Sequence, residues 1–196
     1  MPHEHMRETG SVAESGRMIV VNGGSSSGKT TVARALQQVL PGLWLRWSID
    51  DLVAATTGAG DGDRSGITFG PAGEVIVGPA FVDALTAWRV GLAAMVRAGA
   101  GIVLDEVFLD GGRSQDRLRT DLGELDVLWV GVRCDPQIAA AREAARGDRT
   151  IGMAAAQAES VHEGVAYDVV VDSGRSDPAT CARTIAAALR WWPPVA

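Results

Sequence analysis

Lysine is nearly missing from this chain: of its 18 basic residues, Lys29 alone is not an arginine. Where any cation would serve the sequence uses arginine, so the single ammonium calls for a positional reason. Cysteine is scarce as well. Cys134 and Cys181 cannot build a disulfide framework, and a reduced, cytoplasmic setting is expected. No run of about 18 uninterrupted apolar residues occurs, which argues against a membrane span. The polar residues 1–17 lack the apolar core of a signal peptide; they read as a disordered leader, with Met18 as an alternative start. Basic charge is the minority charge, 18 residues against 24 acids for a net −6. Nucleic acid and anionic lipid therefore exert no general pull, and any phosphate site must be local.

What is present suits one domain. The 196 residues are 46% apolar and 21% charged, ordinary globular usage, and residues 18–196 read as a single unit. Short continuous apolar runs predict strands at Met18–Val21, Leu43–Trp47, Ile102–Leu104, Val127–Val132 and Val169–Val171. Helical spacing predicts helices over Lys29–Leu40, Leu52–Ala55, Pro79–Ala98, Ser114–Leu122, Pro136–Arg146, Ile151–Val161 and Ala179–Leu189. Within the glycine-rich stretch 56–78, Ile67–Phe69 and Val75–Val77 fit one weak hairpin. Regular alternation of strand and helix, with strands that read as short apolar runs and not as period-two patterns, predicts an α/β fold: a parallel sheet covered on both faces.

The residues between the first strand and first helix carry the chemistry. Gly23, Gly24, Ser25, Ser26, Ser27, Gly28, Lys29 and Thr30 match the pattern G-x-x-x-x-G-K-(S/T), with Thr31 following. Glycines allow successive backbone N–H groups to point into one cavity, and the helix adds its positive end. Lysine reaches the β- and γ-phosphates as a compact ammonium, a space that the planar guanidinium does not fit. Thr30 offers a hydroxyl to Mg²⁺. A plain glycine turn is the alternative, but the strand before and the helix after are the context phosphate binding requires.

Three further signals surround this cradle. Asp105, at the carboxyl end of the third main strand, fits the metal's water shell; the alternatives are a solvated strand end or a cap. Its neighbour Glu106 could orient a water instead. Asp50 and Asp51 end the second strand, where one carboxylate can accept the proton of an attacking alcohol while the other caps the next helix; Asp50, nearer the strand, is the expected base. Arg142, Arg146 and Arg149 share a helix face or its end and can close over a nucleotide as a lid; the alternative is a solvated face paired with Glu143 and Asp148. His162 reads as structural, and Trp191-Trp192 as a cover for the core edge or a subunit contact, which leaves a homo-oligomer open.

With these residues in view, the chain resembles the chloramphenicol phosphotransferase family from Met18 to about Asp172. The stretches that carry the resemblance are MIVVNGGSSSGKTTVARALQQVLPGLW, RAGAGIVLDEVFL, ELDVLWVGVRCD, REAARGDR and VHEGVAYDVVVD. The resemblance implies a three-layer αβα P-loop NTPase fold of the nucleotide-kinase type with a five-stranded parallel sheet. It also implies transfer of the γ-phosphate of ATP to the primary hydroxyl of chloramphenicol, with Asp50 as the base and Arg146 and Arg149 in the lid. Residues 56–70 depart from the family pattern, and that segment is where the acceptor is expected to touch. Related kinases act on other antibiotics, including nucleosides of the capuramycin type. Rival readings are a kinase of another small alcohol, a nucleotide-dependent switch, and an NTP hydrolase using Glu106.

Overall fold

In the computed structural model of the chain, residues 16–56, 66–70, 75–146 and 152–189 are described. The elements follow in the order β1 (Met18–Asn22), α1 (Lys29–Val39), β2 (Trp44–Ser48), α2 (Ile49–Thr56), β3 (Ile67–Phe69), β4 (Val75–Val77) and α3 (Pro79–Arg97). The second half runs β5 (Gly101–Glu106), α4 (Gly112–Leu122), β6 (Val127–Arg133), α5 (Pro136–Arg146), α6 (Met153–Ser160), β7 (Val169–Asp172) and α7 (Pro178–Leu189). Five strands form one sheet in the order β2-β5-β1-β6-β7, and every pairing in it is parallel. The hairpin β3–β4 is separate and antiparallel.

Both faces of the sheet are covered, which is why its strands carry no polar alternation. On β1, Ile19 and Val21 pack with Val32 and Leu36 of α1 and Ile185 of α7. Met18 and Val20 face the other way, onto Leu92 and Val96 of α3 and Leu118 and Leu122 of α4. The same two-residue alternation sends Leu128 and Val130 of β6 to one layer and Val127 and Trp129 to the other. α3 has the length and mean hydropathy of a membrane span, 19 residues at 1.2. Here it lies on the sheet through Leu92, Ala93 and Val96, with Arg89 in an interior ion pair.

Two boundaries differ from the sequence expectation in ways that matter. The helix after β2 begins at Ile49, not Leu52, because Ser48 and Asp51 form a reciprocal cap. The Ser48 N–H and Oγ each reach the Asp51 carboxylate at 2.8 Å, and the Asp51 N–H returns to Ser48 Oγ at 3.2 Å. Asp50 therefore stands in the first turn of α2 rather than in a loop. Gly16 and Arg17, counted with the leader on sequence grounds, are bonded to the domain: the Gly16 N–H donates to Val96 O and the Ile102 N–H to Arg17 O. Residues 1–15, residues 147–151 of the expected lid and the tryptophan pair at 191–192 lie outside the described residues.

Strand order brings the chemistry together. β5 lies between β1 and β2, so Asp105 is in register with Val21 on one side and Ser48 on the other. The three strands end on one edge of the sheet, which gathers the cradle, Asp105 and Asp50 there.

Candidate active site

The cradle is built from unusual backbone. Gly28 has φ +86°, and Ser26, a non-glycine residue, has φ +56°. Both lie in the left-handed region, where a side chain is strained, and such strain is held at functional sites by surrounding structure. Gly23 has the opposite constraint, a close approach: a Cβ there would sit 2.5 Å from Val132 O. The hydroxyls of Ser25, Ser26 and Ser27 are buried without a hydrogen-bond partner. Orphaned buried hydroxyls are costly, and three in succession around a loop of N–H groups fit an anion with several acceptor oxygens.

Lys29 opens α1 and folds back over the loop, with Nζ 3.2 Å from Gly24 O and 4.0 Å from Asp105 Oδ1. Thr30 Oγ1 donates to Asp105 Oδ2 at 2.6 Å, and Asp105 is 3% exposed. A hydroxyl and a carboxylate side by side are the hard-oxygen set that a magnesium ion takes when phosphates and water complete its shell, so these residues fit that ion. Among the described residues no group of three or more His, Cys, Asp or Glu forms a metal site of its own.

Glu106 has another occupation than orienting water. It is 1% exposed; its Oε1 accepts from Arg89 Nε and Nη2 at 3.2 and 2.8 Å, and its Oε2 from the Val107 N–H. Arg89 Nη1 reaches Asp121 Oδ2 at 3.4 Å.

The arginines expected in a lid divide. Arg142 turns to the cradle, donating from Nη2 to Ser173 O at 2.9 Å and from Nη1 to Ser173 Oγ at 3.3 Å; the Ser173 hydroxyl in turn donates to Ser27 O. Arg146 ends α5, and Arg149 lies outside the described residues. Glu143 is not the surface partner of these arginines that helical spacing suggests. It is buried and takes the N–H groups of Gly152 and Ala154 at 2.8 Å each, which ties the start of α6 to α5. Gln157 of α6 belongs to no motif, yet its Oε1 accepts the Ser25 N–H at 2.8 Å. A glutamine on the buried side of an alanine-rich helix is the one sequence signal that points to it.

Behind the cradle, Asn22 ends β1 and joins three segments. Its Oδ1 accepts the Phe108 N–H, and its Nδ2 donates to Val161 O and to Tyr167 Oη at 2.8 and 2.6 Å. The Tyr167 hydroxyl then donates its proton to His162 Nδ1, 2.6 Å away. Burial, followed by the charges of Arg133 and Lys29, lowers the His162 pKa to about 4, so the ring is neutral as this bond requires. Burial raises the Tyr167 hydroxyl to about 12. The unfolded chain protonates His162 near 6.5 and the folded one only near 4, so the unfolded state binds more protons between these values. Stability from this group is complete above about pH 6.5 and falls as the pH drops toward 4. His162→Gln should flatten the decline of Tm between pH 7 and 4 relative to the parent chain, read by thermal melts; parallel curves would refute the assignment.

A cavity of about 840 Å³ opens from the cradle. Lys29, Thr30, Asp105 and Asp50 line one end of it. Val53 of α2, Val77 of the hairpin, and Phe81 and Leu85 of α3 are apolar residues of its lining, and Arg89, Arg117 and Asp121 are charged ones. A second cavity of about 430 Å³ lies on the other side of Gly28, between Arg142, Ser173 and Pro178. Asp51 forms the helix cap; Asp50 is exposed and borders the larger cavity.

This is the αβα fold of the P-loop kinases, with the phosphate cradle at the strand ends. Solved structures agree: a tunicamycin resistance protein of Deinococcus radiodurans matches with TM-score 0.62 at 19% identity, over 89% of this chain and 95% of that one. An adenosine 5′-phosphosulfate (APS) kinase of Mycobacterium tuberculosis, solved with AMPPNP and APS, matches with TM-score 0.62 at 17% identity, over 90% and 98%. Residues 16–190 match the family model described as chloramphenicol phosphotransferase-like protein, and the chain belongs to that family. A curated Mycobacterium tuberculosis protein, named as a candidate O-phosphotransferase, is 28% identical over 173 residues, 81% of this chain and 75% of its own length. The chain is accordingly a phosphotransferase of the small-molecule kinase type.

Proposed function

We propose that the chain transfers the γ-phosphoryl group of ATP to the primary hydroxyl of chloramphenicol in the cytoplasm, inactivating the antibiotic. The observation that carries this reading is the shared cavity: cradle, Asp50 and apolar side chains border one space of about 840 Å³, a size suited to a small aromatic alcohol beside a triphosphate tail. A hydrolase or a nucleotide switch has no need of that apolar lining, and the pairing of Glu106 with Arg89 removes the residue a hydrolase would use.

The hydroxyls of Ser25, Ser26 and Ser27, with the cradle amides not already bonded within the chain, bind the phosphate oxygens, and Lys29 neutralises charge on the β/γ bridge. Thr30 and Asp105 would hold Mg²⁺, which supplies charge neutralisation when bound with the nucleotide. The purine lies in the second cavity against Arg142. Asp50 takes the proton of the acceptor hydroxyl as its oxygen bonds to the γ-phosphorus and the bond to the leaving ADP oxygen breaks. Arg146 and Arg149 are assigned the stabilisation of charge on the transferring group.

Mass spectrometry of chloramphenicol after incubation with enzyme, ATP and Mg²⁺ should show the gain of one phosphoryl group. Transfer to a different alcohol, with chloramphenicol unchanged, would overturn the acceptor and leave the kinase chemistry standing. ATP hydrolysis with no alcohol modified would overturn both. A related alcohol more polar than chloramphenicol is the second reading, favoured by the charged side chains that share the cavity with the apolar ones.

A further inference from the structure

The lining of the cavity is of two kinds, apolar and ionic, and the ionic part is not needed for phosphate chemistry. Arg89 projects from the middle of α3 and is 6% exposed. On its own, the Arg89–Glu106 pair would be a neutral and well-bonded unit, with both guanidinium contacts converging on Glu106 Oε1. The addition of Asp121 breaks that balance. It lies at the end of α4, 16% exposed at the side chain, and its one contact to Arg89 is long at 3.4 Å. A bond of that length satisfies little of a carboxylate's demand for donors. No other donor reaches Asp121 among the described residues, and its side chain lines the cavity. Arg117 of the same lining is paired with Asp110 and bonded to Ser114, so it does not compensate.

The balance of charge in the cavity follows. Among the described lining residues Lys29, Arg89 and Arg117 stand against Asp50, Asp105, Glu106, Asp110 and Asp121, two carboxylates in excess. A partly desolvated carboxylate attracts hydrogen-bond donors and repels anions.

We propose that Asp121, oriented by Arg89, is a specificity-determining residue for the acceptor. It accepts a hydrogen bond from an O–H or N–H group that the acceptor carries away from its reacting hydroxyl. The cavity therefore selects neutral or cationic amphiphilic alcohols and excludes anionic ones. This deepens the kinase reading and rests on it, because it takes the cavity to be the acceptor site.

The test is calorimetric binding to the full chain in the presence of Mg²⁺ and a non-hydrolysable ATP analogue. Three compounds on one aryl-diol scaffold serve as probes: the free amine that remains when the acyl group of chloramphenicol is removed, chloramphenicol itself, and the N-succinyl acid of the same amine. The amine and the amide should bind, and the acid should bind about 10- to 100-fold more weakly. Asp121→Asn should weaken the amine by about tenfold and narrow the gap between amide and acid. Asp121→Ser is the second variant, and thermal melts of both report that they are folded. Equal affinity of acid and amide for the parent chain would overturn the proposal, as would unchanged affinities in both variants or no binding of any probe. The phosphoryl-transfer assay is a separate readout, so a kinase that fails on these alcohols is distinguished from a lining that does not select.

Discussion

Lys29→Ala is expected to lower phosphoryl transfer by about 10³-fold or more, the scale seen when one charge-stabilising group is removed from a phosphoryl-transfer site. Lys29→Arg should fall nearly as far. Lys29 is 9% exposed and folded back to 3.2 Å from Gly24 O, a space that suits a tetrahedral ammonium. A guanidinium is wider and planar, and would displace the loop that carries the three orphaned hydroxyls. The fold should survive both changes, because Asp105 keeps its 2.6 Å bond from Thr30 and α1 keeps Val32 and Leu36 in the core. Steady-state transfer kinetics with circular dichroism as the folding control test this. Near-normal turnover in either variant would contradict the role given to the ammonium.

Asp50→Asn should lower kcat by about 10²- to 10⁴-fold, equivalent to roughly 3–5 kcal/mol of barrier, with little change in ATP affinity. The substitution keeps the shape of the side chain and removes the proton acceptor. It also leaves the start of α2 intact, since the cap is made by Ser48 and Asp51 and not by Asp50. The loss of rate therefore reads the base and not the helix. A large loss of ATP binding would place Asp50 at the metal and overturn its role toward the acceptor. Asp51→Asn is the informative companion: it touches the cap, so its effect should appear in Tm before kcat.

Much of this arrangement is legible in the order of the residues. The cradle is eight consecutive residues, Gly23 to Thr30, and its properties are those of local backbone and one side chain. Strands that are mostly apolar without two-residue alternation report a sheet buried on both faces. The Asp135-Pro136 pair marks a helix start that the structure bears out, with Asp135 Oδ1 taking the Gln137 N–H at 2.8 Å. The two acids at the end of β2 are also separable in principle. Ser48 lies three residues before Asp51, the spacing of a capping box, and that spacing selects Asp51 for the cap.

Arg89 is legible in a weaker sense. The apolar stripe of α3 runs through Phe81, Leu85, Leu92 and Val96, and position 89 falls on it by helical spacing, so an arginine there is out of place on a buried face. Its neighbour Trp88 fits the same stripe one position earlier and masks the anomaly. Nothing in the spacing, moreover, says that the partners of Arg89 are Glu106 and Asp121, 17 and 32 residues away.

The sequence alone determined the cradle proposed for phosphate, because one glycine-rich loop, one ammonium and one hydroxyl need only neighbours in the chain. The tertiary structure alone decided what shares the cavity with it. Gln157 braces Ser25 across 132 residues and Ser173 braces Ser27 across 146. Asp121 reaches the cavity only because β5 lies between β1 and β2 and carries α3 and α4 to the same edge. Side-chain period and composition define which face of an element is buried; which elements meet is set by the order in which the strands pair, and the partner facing a charge follows from that order.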